Sequence, residues 1–479
     1  MINSKDEILK ELIRRLGKEL LDLLAESAEA LGQEVYIIGG FVRDIIMQRP
    51  SCDLDIVTDK SGIALATEVA NRLGRREAHL SVFKSFGTAQ VKFRDLELEF
   101  VGARKESYRA DSRKPIVEDG TFEDDQRRRD FTINALSISI NKNDLGRVID
   151  PFDGIRDIEN RVIQTPLDPD TTFSDDPLRM MRAVRFASQL DFTIPQYIKE
   201  SIRLNASRIS IVSRERIMVE FVKIMESPRP SIGLQLMDEC GLMEEICPEI
   251  VALKGAETRE GIGHKDNFHH TLIVVDQLSE RSDNLYLRLA ALFHDIAKPV
   301  TKRYEKGIGW TFYNHNYVGG KMLPKIFKRL KLPLDDRLKY VQKLVNLHMR
   351  PAQLSEEGVT DSAVRRLLFE AGEDIDDLML LCEADMTSKN PVKIAKCIAN
   401  FKIVREKLVE IEEKDRIRNF QPPVSGEEIM ATYNLPPSRV VGDIKEAIKN
   451  AILDGVIPNE REAALDFMHR YVEEHRILS

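Results

Sequence analysis

Ile38-Gly39-Gly40-Phe41-Val42-Arg43-Asp44, followed a short way on by Asp53-Leu54-Asp55-Ile56-Val57, is the stretch from which the fold of this chain is read. Side chains on a strand repeat every second residue, so Asp53 and Asp55 project from one face roughly 7 Å apart. Two carboxylates held that way can share a pair of magnesium ions roughly 4 Å apart, which activate an attacking hydroxyl and stabilise a leaving pyrophosphate. Gly39 and Gly40 let backbone N–H groups approach a triphosphate with no Cβ between. Arg43 is placed to neutralise charge on a transferred phosphoryl group. A bare D-x-D is a common surface pattern; the G-G-F-V-R-D ahead of it turns it into a candidate catalytic pair.

Around this pair the texture is that of a small α/β head. Val35 to Ile38, Leu54 to Val57 and Ala89 to Phe93 read as strands, and Leu96, Leu98 and Phe100 alternate with acids as a half-buried strand does. Leu136 to Ile140 and Arg147 to Asp150 are further candidates. Before them, Ile8, Leu9, Leu12, Ile13, Leu16, Leu20, Leu23 and Leu24 recur at helical spacing and predict one amphipathic helix. Beyond about residue 170 helical periodicity dominates.

The paired motifs resemble the active-site signature of the DNA polymerase β nucleotidyltransferase superfamily. The resemblance implies a third carboxylate from a neighbouring strand, for which Glu99 and Glu97 are both candidates. Downstream, Arg127-Arg128-Arg129-Asp130-Phe131-Thr132-Ile133-Asn134-Ala135 resembles the R-R-D-F-T-x-N-A motif of class II tRNA nucleotidyltransferases and bacterial poly(A) polymerases. Three consecutive arginines beside Asp130 and Asn134 can hold phosphates and a ribose together, and an Asp or Asn near a 2′-hydroxyl separates ribonucleotides from deoxyribonucleotides. Nucleotide contacts are expected from Gly39, Gly40, Arg43, Arg128, Arg129, Asp130 and Asn134.

The segment Asp150 to Asp157 resembles the hinge that follows in this family. Then Pro177 fits the first turn of a helix, and Asp176 and Arg179, three apart, share a face. An aspartate accepts from an amino group while an arginine donates to ring nitrogens and carbonyls, so the two can read C and A. The resemblance implies that they act as an amino-acid template, with Arg182 and Arg185 of the same helix joining the nucleotide site. Asp175 stands where the family commonly has Glu. Arg216 and Glu220, four apart, are expected to brace the template helix.

A second constellation is His269-His270-Thr271 and, at the end of an apolar run, His294-Asp295. Buried carboxylates need partners, and this mixture suits a divalent metal. The pattern resembles the HD phosphohydrolase superfamily, which implies that His270, His294, Asp295 and a distal aspartate, for which Asp385 fits, ligate a metal of unspecified identity; His315 and His348 are candidates for a second ion. His264 reads as a loop histidine, and His79 carries no signal.

With 479 residues the chain exceeds one compact core. The expected domains are a catalytic head (1–165), a helical nucleotide-selection and RNA-binding neck (166–254), an HD domain (255–415) and a helical tail (416–479) that opens near Phe420. The fold class is α+β, a polymerase β-like head followed by an all-α body. The net charge of −8 argues against nonspecific nucleic-acid binding, although basic residues crowd the stretch from Lys302 to Arg350. Scattered Cys52, Cys240, Cys247, Cys382 and Cys397 read as reduced thiols. With no apolar run of roughly 18 residues and no signal-like N-terminus, the expected address is the cytoplasm. No protein partner is evident.

Together these readings imply template-independent addition of C, C and A to the 3′ end of tRNA from CTP and ATP, with magnesium in the head. A bacterial poly(A) polymerase shares the head, and an HD phosphohydrolase with a nucleotide-binding head is a further alternative. The linker from Arg104 to Glu123, which the family associates with the final A, is present in full, favouring the whole reaction over CC or A addition alone.

Overall fold

The structure, a computed structural model, describes residues 1–479 apart from 3, 52, 75, 110–111, 260–261, 264–265, 358, 388–389, 416–420 and 476–479. Cys52, His264 and Phe420 therefore lie outside the described residues. Two compact units divide the chain, Met1–Ile246 and Cys247–Ser479.

The first unit is built on β1 (Val35–Ile38), β2 (Asp53–Thr58), β3 (Ala78–Phe83), β4 (Thr88–Phe93), β5 (Leu96–Gly102), β6 (Arg104–Arg109), β7 (Ser112–Asp119), β8 (Ser137–Ser139) and β9 (Val148–Ile149). Seven of these form one mixed sheet in the order β3-β4-β5-β2-β1-β8-β9, with β2 and β5 parallel. The alternation read along β5 is real: Leu98 and Phe100 are fully buried while Glu97 and Glu99 face outward. In β2, Leu54 and Ile56 enter the core, which leaves Asp53 and Asp55 on the other face.

Three departures from expectation have local causes. The opening helix is two, Lys5–Leu16 and Lys18–Ala30. Gly17 adopts φ 79° between them, a conformation that interrupts the helix at little steric cost. Strand β3 pairs with β4 and lies at the sheet's edge, where Ala78, Leu80 and Val82 alternate with His79 and Ser81 but none of them is fully buried. The linker after Arg104 holds an antiparallel pair, β6 and β7, outside the main sheet.

The helix Leu178–Leu190 buries Met180, Met181, Val184 and Ala187, with Pro177 at its N-cap position. It packs on Arg214–Met225 and Pro230–Glu239.

The second unit is helical apart from short hairpins such as Arg303–Glu305 with Gly309–Thr311. Helix Leu285–Phe293, capped by Asn284, packs against Asn267–Ser279, Asp336–Leu347 and Ile375–Asp385, and His315–Leu330 lies along Asp336–Leu347. The tail helix Gly426–Tyr433 opens with a capping box between Ser425 and Glu428. No helix of the described residues is long and apolar enough to cross a membrane.

Candidate active site and candidate metal centre

All the head residues assigned to nucleotide or metal line one cavity of about 920 Å³: Gly39, Gly40, Arg43, Asp53, Asp55, Arg128, Arg129, Asp130, Asn134, Asp176, Arg179, Arg182 and Arg185. Strand register explains the acidic part. Asp53 stands beside Glu97 and Asp55 beside Glu99 in the parallel β2–β5 pair. Glu97 is engaged by Lys92 at 2.7 Å and by Gln90 at 3.2 Å. Burial lifts the Glu99 carboxyl above its usual range, and the Asp55 charge adds to that. Burial likewise raises Asp55; Arg129 opposes the rise, while Asp53 and Asp125 reinforce it. Crowded, partly desolvated carboxylates of this kind favour an oxygen-seeking divalent cation.

Gly39 has φ 85°, and a Cβ there would come within 3.0 Å of Asp55 Oδ2 and 3.2 Å of Arg129 Nη1. The glycine thus lets the chain pass the carboxylate without displacing it.

The cationic wall is pre-paired. Asp125, fully buried, holds both Arg128 and Arg129, the second through Nη2 to Oδ2 at 3.3 Å. Arg129 Nη1 also lies 3.8 Å from Asp55 Oδ2. Arg127 departs from the expected phosphate trio, pointing away to Glu123 at 2.8 Å. Asp130 accepts from Arg182 Nε at 2.6 Å, Asn134 Nδ2 at 3.1 Å and the Phe131 amide at 2.9 Å. Burial pushes its carboxyl up, but Arg182 and Asn134 outweigh that and hold it down at about 2.

Arg43 Nη1 donates to Asn134 Oδ1 at 2.8 Å, and Asp44 takes two further donors at 2.9 and 3.1 Å. Arg43, Arg182 and Arg185 all stack on Phe186, at 5.0, 5.5 and 4.0 Å from its ring centre. Arg179 donates to the backbone oxygens of Arg128 at 2.6 Å and Thr172 at 3.4 Å, while Asp176 Oδ1 accepts from the Leu178 amide at 3.1 Å. The brace differs from expectation. Glu220 meets Arg185, 2.5 Å from Nε, and Arg216 lines the cavity instead.

Phe186, Arg104 and Phe86, which line the cavity, and Asp125, which holds two of its arginines from behind, were missed by the sequence reading. Asp125 precedes Arg128 by three and Arg129 by four, a helical spacing that signals the pairing. Arg43 reaches Phe186 only through the tertiary fold, so no local pattern announces it. The segment from Asp150 to Asp157 is an anchored turn: Asp150 accepts from the Gly154 and Ile155 amides, and Asp157 from Thr132.

In the second unit the ends of several helices converge. His270, His294 and Asp385 form one group of ligand atoms within 4.8 Å of one another, and Asp295, His315 and His348 form another. Asp295 joins them, with Oδ2 3.2 Å from His294 Nε2 and Oδ1 3.3 Å from His315 Nε2. Backbone oxygens of Ala291, Phe312 and Val345 accept from Nδ1 of His294, His315 and His348, at 2.7, 2.8 and 2.7 Å. That fixes the tautomer and turns each Nε2 lone pair inward, as metal-ligating histidines require.

Two observations fit a cation here. His294 Nε2 is buried 3.2 Å from Asp295 Oδ2 and 3.4 Å from Asp385 Oδ1, without a well-angled hydrogen bond among the described residues, and His315 Nε2 faces His348 Nε2 at 3.3 Å. Burial disfavours a charged His294, yet Asp295 and Asp385 outweigh it and lift the ring to about 10. His348, by contrast, is pushed down to about 4 by burial and the neighbouring His294. Lys298, 2.6 Å from Asp295 Oδ2, completes the surroundings.

Comparison with known proteins follows the same division. Residues 35–164 match the poly A polymerase head domain family, 191–253 the family described as a probable RNA and SrmB-binding site of polymerase A, and 267–390 the HD domain. An A-adding tRNA nucleotidyltransferase of Deinococcus radiodurans is 32% identical over 363 residues, covering 74% of this chain and 80% of its own. A CC-adding tRNA nucleotidyltransferase of Thermus thermophilus is 29% identical over 444 residues, 90% of this chain and 92% of its own. In fold, the Thermotoga maritima CCA-adding enzyme complexed with tRNA aligns over 96% of this chain and 98% of that one, with TM-score 0.62 and 20% identity. Since the likeness to the Deinococcus enzyme runs along 80% of that protein, well past the head, the chain belongs to the tRNA nucleotidyltransferase family and carries an HD domain.

Proposed function

We propose that the protein adds C, C and A to the 3′ end of tRNA, drawing on CTP and ATP without a nucleic-acid template. The observation that carries this reading is that Asp176 and Arg179 share one cavity with Asp53 and Asp55. Base selection and phosphoryl chemistry then act on a single bound nucleotide.

Asp53, Asp55 and Glu99 would hold the cation, and their oxygen-only donor set favours magnesium. Bound there, it would polarise the α-phosphate and lower the pKa of the attacking 3′-hydroxyl. Arg128 and Arg129, held by Asp125, meet the triphosphate. Asp130 and Asn134 receive the ribose, and their mutual hydrogen bond keeps both side chains in place before the nucleotide arrives. Arg43, held by Asp44, orients Asn134 from the cavity wall and keeps a donor face toward the phosphoryl site. Arg179, fixed by the backbone of residues 128 and 172, presents donors while Asp176 presents an acceptor; that combination suits C and A.

Full CCA addition, rather than CC or A alone, is supported by the uninterrupted linker, with its backbone paired as β6 and β7. Relatives of all three specificities resemble this chain. The negative net charge favours tRNA over continuous tailing. Free thiols and the lack of a spanning helix among the described residues favour the cytoplasm.

The deciding experiment extends a tRNA transcript lacking its last three nucleotides, with CTP and ATP separately and together. The expected product stops after C-C-A and requires both nucleotides. A long A tail formed without CTP would assign a poly(A) polymerase; arrest after one A or after C-C would assign a partial enzyme.

A second reading concerns the HD centre alone. The two ligand groups joined by Asp295 support a two-metal site of the kind used for phosphate ester hydrolysis. Its test is metal content of the purified protein together with release of phosphate from a generic phosphomonoester or phosphodiester.

A further inference from the structure

We propose that Phe86 is the stacking platform for the last base of the RNA being extended, an inference that rests on the nucleotidyl-transfer reading above. Phe86 is 71% exposed, unusual for so large an apolar side chain. A solitary exposed apolar residue needs no explanation, but this one lines the same cavity as Asp53, Asp55 and Glu99. It sits in the short turn Lys84–Phe86 between β3 and β4, closed by the Gly87 amide on the Lys84 oxygen at 3.3 Å.

The sheet order gives its position meaning. Strand β2, with the paired aspartates, lies mid-sheet. On one side come β1 and β8, flanked by Arg129, Asp130 and Asn134. On the other come β5 and β4, with Glu99, Gln90 and then the Phe86 turn. Phosphoryl transfer places the attacking and leaving oxygens roughly in line across phosphorus. With the triphosphate on the arginine side, the RNA end approaches from the β4–β5 side. An aromatic face there accepts any base, because every base offers a π-face. That tolerance is needed, since the first addition meets the original terminal base and the next two meet a C.

Steady-state kinetics with the full-length protein test this. Wild type, Phe86→Ala and Phe86→Tyr would be compared on a tRNA transcript lacking its last three nucleotides, varying tRNA and CTP in turn. Phe86→Ala is expected to raise KM for tRNA on the order of tenfold, as loss of one base–aromatic stack does. KM for CTP should stay within about twofold, and Phe86→Tyr should restore the wild-type value. A transcript ending in 2-aminopurine should be quenched on binding wild type and Phe86→Tyr, and less so on binding Phe86→Ala.

An unchanged KM for tRNA in Phe86→Ala, with wild type active, would overturn the platform while leaving nucleotidyl transfer standing. So would a defect that tyrosine fails to rescue, which would assign Phe86 to packing with its exposed neighbours Val82 and Phe83. An inactive wild type would remove the underlying reading and the platform with it.

Discussion

The head and the HD centre both gather acids and bases around a space, but they manage charge in opposite ways. In the head, most arginines already rest on an acid: Arg128 and Arg129 on Asp125, Arg182 on Asp130, Arg185 on Glu220, Arg43 on Asp44. The cavity is wide, and its groups are oriented before a nucleotide enters. In the HD centre His294, His315 and His348 tie their outer nitrogens to backbone oxygens, so their inner nitrogens face one another and the carboxylates of Asp295 and Asp385. One site is wide and lined by paired arginines; the other is closed and lined by imidazoles and carboxylates. Preorganisation by side-chain pairs suits turnover, whereas preorganisation by backbone suits a resident metal.

The sharpest test of that division is to remove each centre's acids separately. Asp53→Ala/Asp55→Ala should lower CCA addition at least about a thousandfold, the order several kcal/mol of lost phosphoryl stabilisation gives. Metal bound in the HD centre should be unaffected, as checked by elemental analysis. Asp295→Asn should reverse the pattern, cutting HD-bound metal because that carboxylate belongs to one ligand group and lies 3.2 Å from His294 of the other. Nucleotide addition should then stay within about twofold of wild type. A collapse of addition in Asp295→Asn would break the separation, and so would loss of HD metal in the head variant.

Legibility differed between the two centres for a physical reason. The head's carboxylates, its Arg128-to-Asn134 segment and the Asp176–Arg179 pair are each local in sequence, because one strand, one turn and one helix start present them. Their meeting in a single cavity requires the sheet order, in which β5 inserts beside β2 and β8 beside β1. The Phe186 stack and the Arg185–Glu220 pair depend on contacts across the fold and left no periodic mark. In the HD centre the ligands are scattered over a hundred residues of helix. There the family resemblance, not spacing, pointed to His270, His294, Asp295 and Asp385. The β6–β7 pair escaped notice because it shows no clean alternation of apolar and polar residues, whereas β3 alternates from Ala78 to Val82 and was simply passed over.

A middle-sized effect is expected at the base-reading pair. Asp176→Ala should lower the preference for CTP and ATP over UTP and GTP by roughly ten- to a hundredfold, the scale of one bidentate base contact. The measurement is kcat/KM for each nucleotide on the appropriate tRNA end. An equal loss for all four nucleotides would mean that Asp176 supports the helix start, through its bond to the Leu178 amide, rather than reading the base.

The smallest effect concerns stability and sharpens the claim that head charges are paired in advance. The Asp130 carboxyl is held at about 2 against an ordinary 3.8. A depressed acid contributes stability that is complete above its unfolded pKa and is lost as pH falls through the folded one. The shift corresponds to about 2 kcal/mol at neutral pH. Asp130→Asn keeps an oxygen for Asn134 and the Phe131 amide but removes the charge facing Arg182. Denaturant unfolding should show the variant about 2 kcal/mol less stable at pH 7, with the gap narrowing to roughly half by pH 3 as the carboxyl protonates in the unfolded chain. A gap independent of pH would mean that the hydrogen-bond geometry, not the charge of Asp130, holds the Arg182 wall in place.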